Sequence, residues 1–127
     1  MALYLLDSDA VIDHLKSRGD MSRYITRLIH SGNTLCSFAV VLSEVYSGLH
    51  HGDVPAASRF LSSLSFLAST PAIGEQAGTW RYAFARQGVA LSTSDTFVAA
   101  TAHVYGASLI TRNAKHYPMA GLTLAPP

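Results

Sequence analysis

Acidic residues are scarce in this chain, and where they fall is its first chemical signal. Of eight Asp and Glu in 127 residues, three occur in the opening stretch LYLLDSDAVID, as Asp7, Asp9 and Asp13, directly after bulky apolar residues. A carboxylate at the end of an apolar strand is costly to desolvate unless something pairs with it. In an open α/β sheet that same position is where ligands bind. Asp7 is therefore the first candidate site residue. For Asp9 and Asp13 the simpler reading is preferred, in which Ser8 or Asp9 caps the following helix and the acids sit near its positive N-terminus. Asp95 is the only formally charged residue between Arg86 and Arg112 with His neutral. Two readings of it stand: an interaction with the helix dipole, worth about 0.3–1 kcal/mol, or membership of a site. Glu44 flanks the Phe38, Val41, Val45 and Leu49 stripe of its own helix. Most Glu residues so placed are solvated.

The elements that must carry these acids follow from hydrophobic patterning. Short apolar runs alternate with longer segments of helical period, the sign of an α/β fold with a mainly parallel sheet flanked by helices. Strand one is expected at Ala2 to Leu6, with a short helix near Asp9 to Lys16. Asp20 is expected to cap a helix carrying Met21, Tyr24, Ile25, Leu28 and Ile29 and closed by Gly32. Thr34 to Ser37 reads as the second strand, and a helix follows from Phe38 up to Gly52. Pro55 opens another, with Phe60, Leu61, Leu64 and Leu67 on one face. A fifth helix runs over Gly74 to Gln87 and ends at Gly88, a sixth begins at Ser94 or Asp95, and strands Ser108 to Thr111 and Leu122 to Leu124 close the chain. Pro126 and Pro127 end any ladder.

Composition bounds the rest. A chain 49% hydrophobic and 13% charged, with mean hydropathy +0.23, reads as one domain over residues 1–127. Roughly two-thirds of the unfolded surface is buried at this length, so no disulfide or structural metal is required. The single Cys36, within the apolar stretch Leu35 to Phe38, reads as a small buried hydrophobe, which suits a reducing, cytoplasmic setting. No stretch approaches the roughly 18 apolar residues of a membrane span, and no basic segment precedes a signal-type core. The net charge of +1 is spread over nine Lys and Arg, with no basic run to announce a nucleic-acid surface.

If the sheet is parallel, Asp7 and the ends of the second and of the Ser108 to Thr111 strands open on one edge. That edge gathers Asp7, Glu44 and Asp95, with Thr111 and Asn113 arriving from the later strand. Crowded carboxylates raise one another's pKa, so protons or a cation must neutralise them. Oxygen-only ligands point to a hard ion, Mg²⁺ or Mn²⁺. Such an ion keeps positions open for phosphate oxygens, which makes phosphodiester hydrolysis the natural chemistry.

Four segments, LYLLDSDAVIDHL, SEVYSGL, TSDTFVAATAHVYGASLITRN and AKHYP, together resemble PIN-domain ribonucleases of the VapC toxin type, in order and over nearly the whole chain. The resemblance implies an α/β/α fold with a central parallel sheet. It also implies a Mg²⁺-dependent endoribonuclease that leaves 5′-phosphate and 3′-hydroxyl ends, forms a homodimer and is inhibited by a cognate antitoxin. Residue by residue, Asp7, Glu44 and Asp95 match the family's first three acids, with Asp7 and Asp95 the leading metal ligands. Asn113 stands where many relatives carry a fourth acid, and supplies an amide oxygen without charge. Thr111 resembles the hydroxyl residue that orients the site, although an ordinary strand Thr would look the same. On this reading Asp7 and Asp95 are essential and Asp9 is dispensable.

Two other functions fit parts of the sequence. DSDAV also resembles the opening motif of haloacid-dehalogenase-type phosphatases, in which Asp7 would be the nucleophile and Asp9 the acid or base. That reading expects a later Lys and a further acidic pair; the only lysines are Lys16 and Lys115, and no such pair follows. A PIN-like module that binds RNA or a partner without cutting is the non-enzymatic alternative. Arg112 and Arg86 are candidates to touch RNA phosphates, against the commoner reading of solvated Arg. Adjacent His50 and His51 point about 100° apart on a helix and do not converge on a metal. Trp80 and Phe84 read as core. The apolar helix from Pro55 to Leu67 suits a dimer surface, an antitoxin groove or plain core packing equally.

Overall fold

The computed structural model describes residues 2–126. In chain order the elements are β1 (Leu3–Leu6), α1 (Ser8–Leu15), α2 (Gly19–His30), β2 (Thr34–Phe38), α3 (Ala39–Ser47), α4 (Val54–Ser62), β3 (Ser65–Leu67), α5 (Pro71–Ala85), α6 (Thr93–Tyr105), β4 (Ser108–Ile110) and β5 (Leu124–Ala125). Single 3₁₀ turns lie at His51–Asp53 and Ala114–His116. The strands form one sheet in the order β3-β2-β1-β4-β5, with every neighbouring pair parallel. The α/β expectation, a parallel sheet flanked by helices, holds.

Strand order decides where a site can form. The chain steps from β1 out to β2 and β3, then returns across β1 to lay down β4 and β5 on its other side. The carboxyl end of β1 is thus the point at which the winding reverses, where open α/β sheets leave a crevice. Asp7 is the next residue after β1, and its N–H donates to the Ile110 carbonyl at the end of β4 (2.9 Å). Apolar strand residues hold this frame: Leu5, Leu6, Cys36, Phe38, Leu109 and Ile110 are buried together with Val11, Ile25, Val41, Val45 and Val98 from the helices. Cys36 is a buried free thiol, as its neighbours imply, and Trp80 and Phe84 pack against the core.

Several boundaries move for local reasons. Arg18, not Asp20, stands at the N-cap of α2, and Asp20 is its second residue, ion-paired with Arg23. The residue Gly32 does close that helix, in a left-handed conformation at φ +78° that a residue with a Cβ enters only at a cost. The helix opened near Pro55 stops at Ser62, and Leu67 belongs to β3, paired with Phe38 of β2. Its helical phase with Phe60 and Leu64 is coincidental. The run Ser65–Leu67 is too short to show a strand period, and pairing with β2 outweighs it. Phe60, Leu61 and Leu64 pack into or against the core, whereas Phe66 is 56% exposed. The closing strand is Leu124–Ala125 rather than Leu122 to Leu124. Pro127 lies outside the described residues.

Candidate active site

Three elements deliver acids to the carboxyl end of β1. Asp7 terminates the strand and is itself the N-cap of α1, its Oδ1 accepting from the Ser8 N–H at 2.9 Å. Glu44 comes from the middle of α3, and Asp95 from the first turn of α6. Ser92 caps that turn, its hydroxyl oxygen accepting from the Asp95 N–H at 3.1 Å. With the helix start served by Ser92, the Asp95 carboxylate turns to Tyr117, whose hydroxyl donates to it at 3.4 Å, and lies 3.8 Å from His116 Nδ1. The same Tyr117 hydroxyl donates to Asp7 Oδ2 at 2.7 Å. Two acids remote in sequence therefore meet on one buried phenol.

Glu44 joins them electrostatically. Its carboxyl is held above the usual range by burial first, then by the charge of Asp7 and that of Asp95, while the hydroxyls of Ser8 and Ser94 act in the opposite sense. It is half-buried, not the solvated position that its place beside the helical stripe suggested. Tyr117 is driven far above its ordinary value by burial and then by Asp7, so it stays a hydrogen-bond donor.

A second acidic cluster adjoins the first. Asp9 and Asp13 are 9% and 3% exposed, and neither is explained by the start of α1. Asp9 Oδ2 accepts from the Asn113 amide at 2.6 Å, the Arg112 N–H at 3.2 Å and the Thr111 hydroxyl at 3.4 Å. Asp13, in the second half of α1, accepts at both oxygens from Arg112 Nη1 (3.0 and 3.1 Å), with Arg18 3.6 Å away. Burial, then the neighbouring charge of Asp7, raises the carboxyl of Asp9, and the Arg112 N–H partly offsets them. The segment leaving β4 is thereby tied to α1. Its Thr111 hydroxyl donates to Asp7 Oδ2 at 3.0 Å.

Of the residues expected at the site, Asp7, Asp95 and Thr111 share direct hydrogen bonds or a common partner, and Glu44 feels the charges of both Asp7 and Asp95. Asn113 reaches Asp9 instead of the three acids. Arg112 is half-exposed and bound to Asp13; Arg86 lies over the ring of Tyr82 at the end of α5, 5.5 Å from its centroid. Sequence reading missed Tyr117, which sits in a polar segment and whose role depends wholly on folding. A signal for the Asp9 and Asp13 cluster did exist. Their i, i+4 spacing puts two like charges on one helix face, which is unfavourable unless a cation faces them, and Arg112 is that cation.

The donor set of Asp7, Glu44 and Asp95 is all oxygen and anionic, and it raises its own member Glu44. That chemistry suits a hard divalent cation such as Mg²⁺ or Mn²⁺. Among the described residues no three His, Cys, Asp or Glu side chains converge as a ready-made cage; the Tyr117 hydroxyl lies within hydrogen-bond reach of both Asp7 and Asp95. A cleft of about 630 Å³, lined by Asp13, Arg18, Met21, Thr111, Arg112 and Pro126 among others, opens on the Asp13 side of the β4 exit.

A family model described as the PIN domain matches residues 4–122. Among curated proteins the chain is 28% identical over 117 residues to Ribonuclease VapC19 of Mycobacterium tuberculosis, covering 91% of this chain and 92% of the relative. It is 25% identical over 122 residues to Ribonuclease VapC2 of Haemophilus influenzae, covering 92% and 91%. Among solved structures, that of VapBC2 from Rickettsia felis bound to a promoter DNA fragment superposes with a TM-score of 0.81 at 21% identity, over 96% of each chain. DNA-bound VapBC from Salmonella typhimurium gives 0.82 at 22% identity, over 98% and 97%.

Proposed function

The chain belongs to the PIN-domain family, and from that membership we propose that it is a metal-dependent endoribonuclease of the VapC type, held inactive by a cognate antitoxin. The observation that carries the reading is the meeting of Asp7 and Asp95 on one hydroxyl, at the winding reversal of a parallel sheet. Residues 1–127 form one PIN domain, acting as a homodimer in the cytoplasm. No helix among the described residues is long and apolar enough to cross a membrane.

Asp7, Glu44 and Asp95 would hold Mg²⁺, for which Mn²⁺ can substitute. When bound, such an ion supplies Lewis acidity and an acidified water for attack on phosphorus. The protein's own groups set the geometry. Thr111 fixes the Asp7 carboxylate through its hydroxyl, and Asp9 fixes Thr111 along with the backbone of Arg112. Arg112, anchored at Nη1 by Asp13 and lining the cleft at the β4 exit, keeps further guanidinium N–H groups for an RNA phosphate.

The test is incubation of the purified chain with a panel of structured RNAs, with Mg²⁺ or with chelator. Cleavage is expected only with the metal, leaving 5′-phosphate ends. Asp7→Asn and Asp95→Asn are each expected to lose more than the roughly 100-fold that loss of a supporting residue brings. Hydrolysis of a small phosphomonoester in place of RNA would restore the phosphatase reading. Binding of RNA without cleavage across the panel would leave the non-catalytic module.

A further inference from the structure

Tyr117 is 3% exposed, and its hydroxyl is the single atom that contacts both Asp7 (2.7 Å) and Asp95 (3.4 Å). One proton cannot serve two carboxylates equally, so the shorter contact with Asp7 carries most of the bond and Asp95 takes the remainder. Asp7 Oδ2 accepts from Thr111 as well as from Tyr117, so a cation that draws on that oxygen competes with two donors for its lone pairs. Of the two, Thr111 is fixed by its place in the segment that Asp9 ties down, through the N–H of Arg112 and the amide of Asn113. Among the described residues the Tyr117 hydroxyl bonds to Asp7 and Asp95, the two acids that a cation would draw upon.

We propose that Tyr117 is a built-in competitor of the cation: its hydroxyl holds the oxygens of Asp7 and Asp95 that a divalent ion would take, and yields them when such an ion binds. The inference rests on the metal reading above. The phenol proton partly screens two neighbouring acids, the buried Asp7 and the half-buried Asp95, so it holds the site's shape at the cost of weaker ion binding. Cation and hydroxyl proton therefore compete for the same lone pairs, and the competition appears in binding and stability before any RNA is added.

The discriminating variant is Tyr117→Phe, which removes one oxygen from a packed ring. Mn²⁺ binding is read from the electron paramagnetic resonance of free Mn²⁺, and thermal unfolding is followed with chelator and with saturating Mn²⁺. The expected result is that Tyr117→Phe binds Mn²⁺ about tenfold more tightly, the equivalent of one hydrogen bond to a charged group. It should also unfold at lower temperature than the wild type in chelator and gain more from Mn²⁺, since the stabilisation by a ligand rises with the logarithm of its affinity. In wild-type protein labelled on tyrosine, the Tyr117 ring signal should shift on adding Mg²⁺, a readout that does not depend on the variant folding. Equal loss of melting temperature with and without Mn²⁺, unchanged or weaker Mn²⁺ affinity, or an unmoved Tyr117 signal would overturn the proposal. Wild-type binding that disappears in Asp7→Asn shows that the metal reading survives such a failure. If the wild type binds no Mn²⁺, both readings fall.

Discussion

Asp9 occupies the first turn of α1, yet its oxygens are committed to the segment leaving β4: the Arg112 N–H, the Thr111 hydroxyl and the Asn113 amide all donate to it. A residue that only favoured the helix dipole would contribute about 0.3–1 kcal/mol to stability and nothing to catalysis. These contacts give it a different task, holding Thr111 where its hydroxyl meets Asp7. Asp9→Ala is therefore expected to lower the rate of RNA cleavage by about 10- to 100-fold, the range found when a partner of a metal ligand is removed. Combined with Thr111→Ala it should lose little more, because both changes release the same contact. Single-turnover cleavage rates of the two single variants and the double variant check this; full activity in Asp9→Ala would return the residue to the helix-start role. Asp7 was legible as a candidate because it ends an apolar strand, and Asp95 because it is the only formal charge between Arg86 and Arg112. Tyr117 was not, since a phenol in the polar segment AKHYP carries no local sign of the acids it will meet.

At the level of elements, most helices and strands could be read from periodicity, with ends displaced by a few residues. The exceptions are short pieces such as β3, for which three residues cannot show a period and pairing with β2 decides. How neighbouring helices lock together was not legible either. His14, near the end of α1, illustrates this. Its Nδ1 lies 3.3 Å from the Ser22 hydroxyl of α2, and its ring packs 4.7 Å from that of Phe60 of α4. Burial lowers its pKa from the ordinary 6.5, a hydrogen bond to Ser22 only partly opposing the shift. The folded protein thus takes up this proton less readily than the unfolded chain. His14 accordingly contributes stability that is complete above the unfolded value and is lost as pH falls from there through the folded value. Urea unfolding between about pH 7 and pH 5 should show stability declining with acidity. In His14→Gln that part of the decline is expected to disappear, and an unchanged pH profile would refute the assignment.

For the molecule as a whole, a core built from Leu5, Leu6, Phe38, Leu109 and Ile110 under apolar helix faces needs no ion to form. Among the described residues no buried side-chain nitrogen or oxygen lacks a hydrogen-bond partner, the acids of the site included. Removing divalent cations is therefore expected to abolish RNA cleavage while leaving the far-ultraviolet circular dichroism spectrum and a cooperative thermal transition in place. Loss of that transition in chelator would mean that the metal is structural. The sequence by itself determined the alternation of strands and helices, the apolar identity of the core, and the candidacy of Asp7, Glu44, Asp95 and Thr111. Those properties are local: they depend on residue type, period and the cost of placing a charge beside apolar neighbours. Only the tertiary structure decided that Asp9 and Asp13 hold the β4 exit through Arg112, and that Tyr117 closes the gap between Asp7 and Asp95. Contacts between residues about a hundred positions apart are set by the order β3-β2-β1-β4-β5, which places the ends of β1 and β4 side by side, and no window of sequence contains that adjacency.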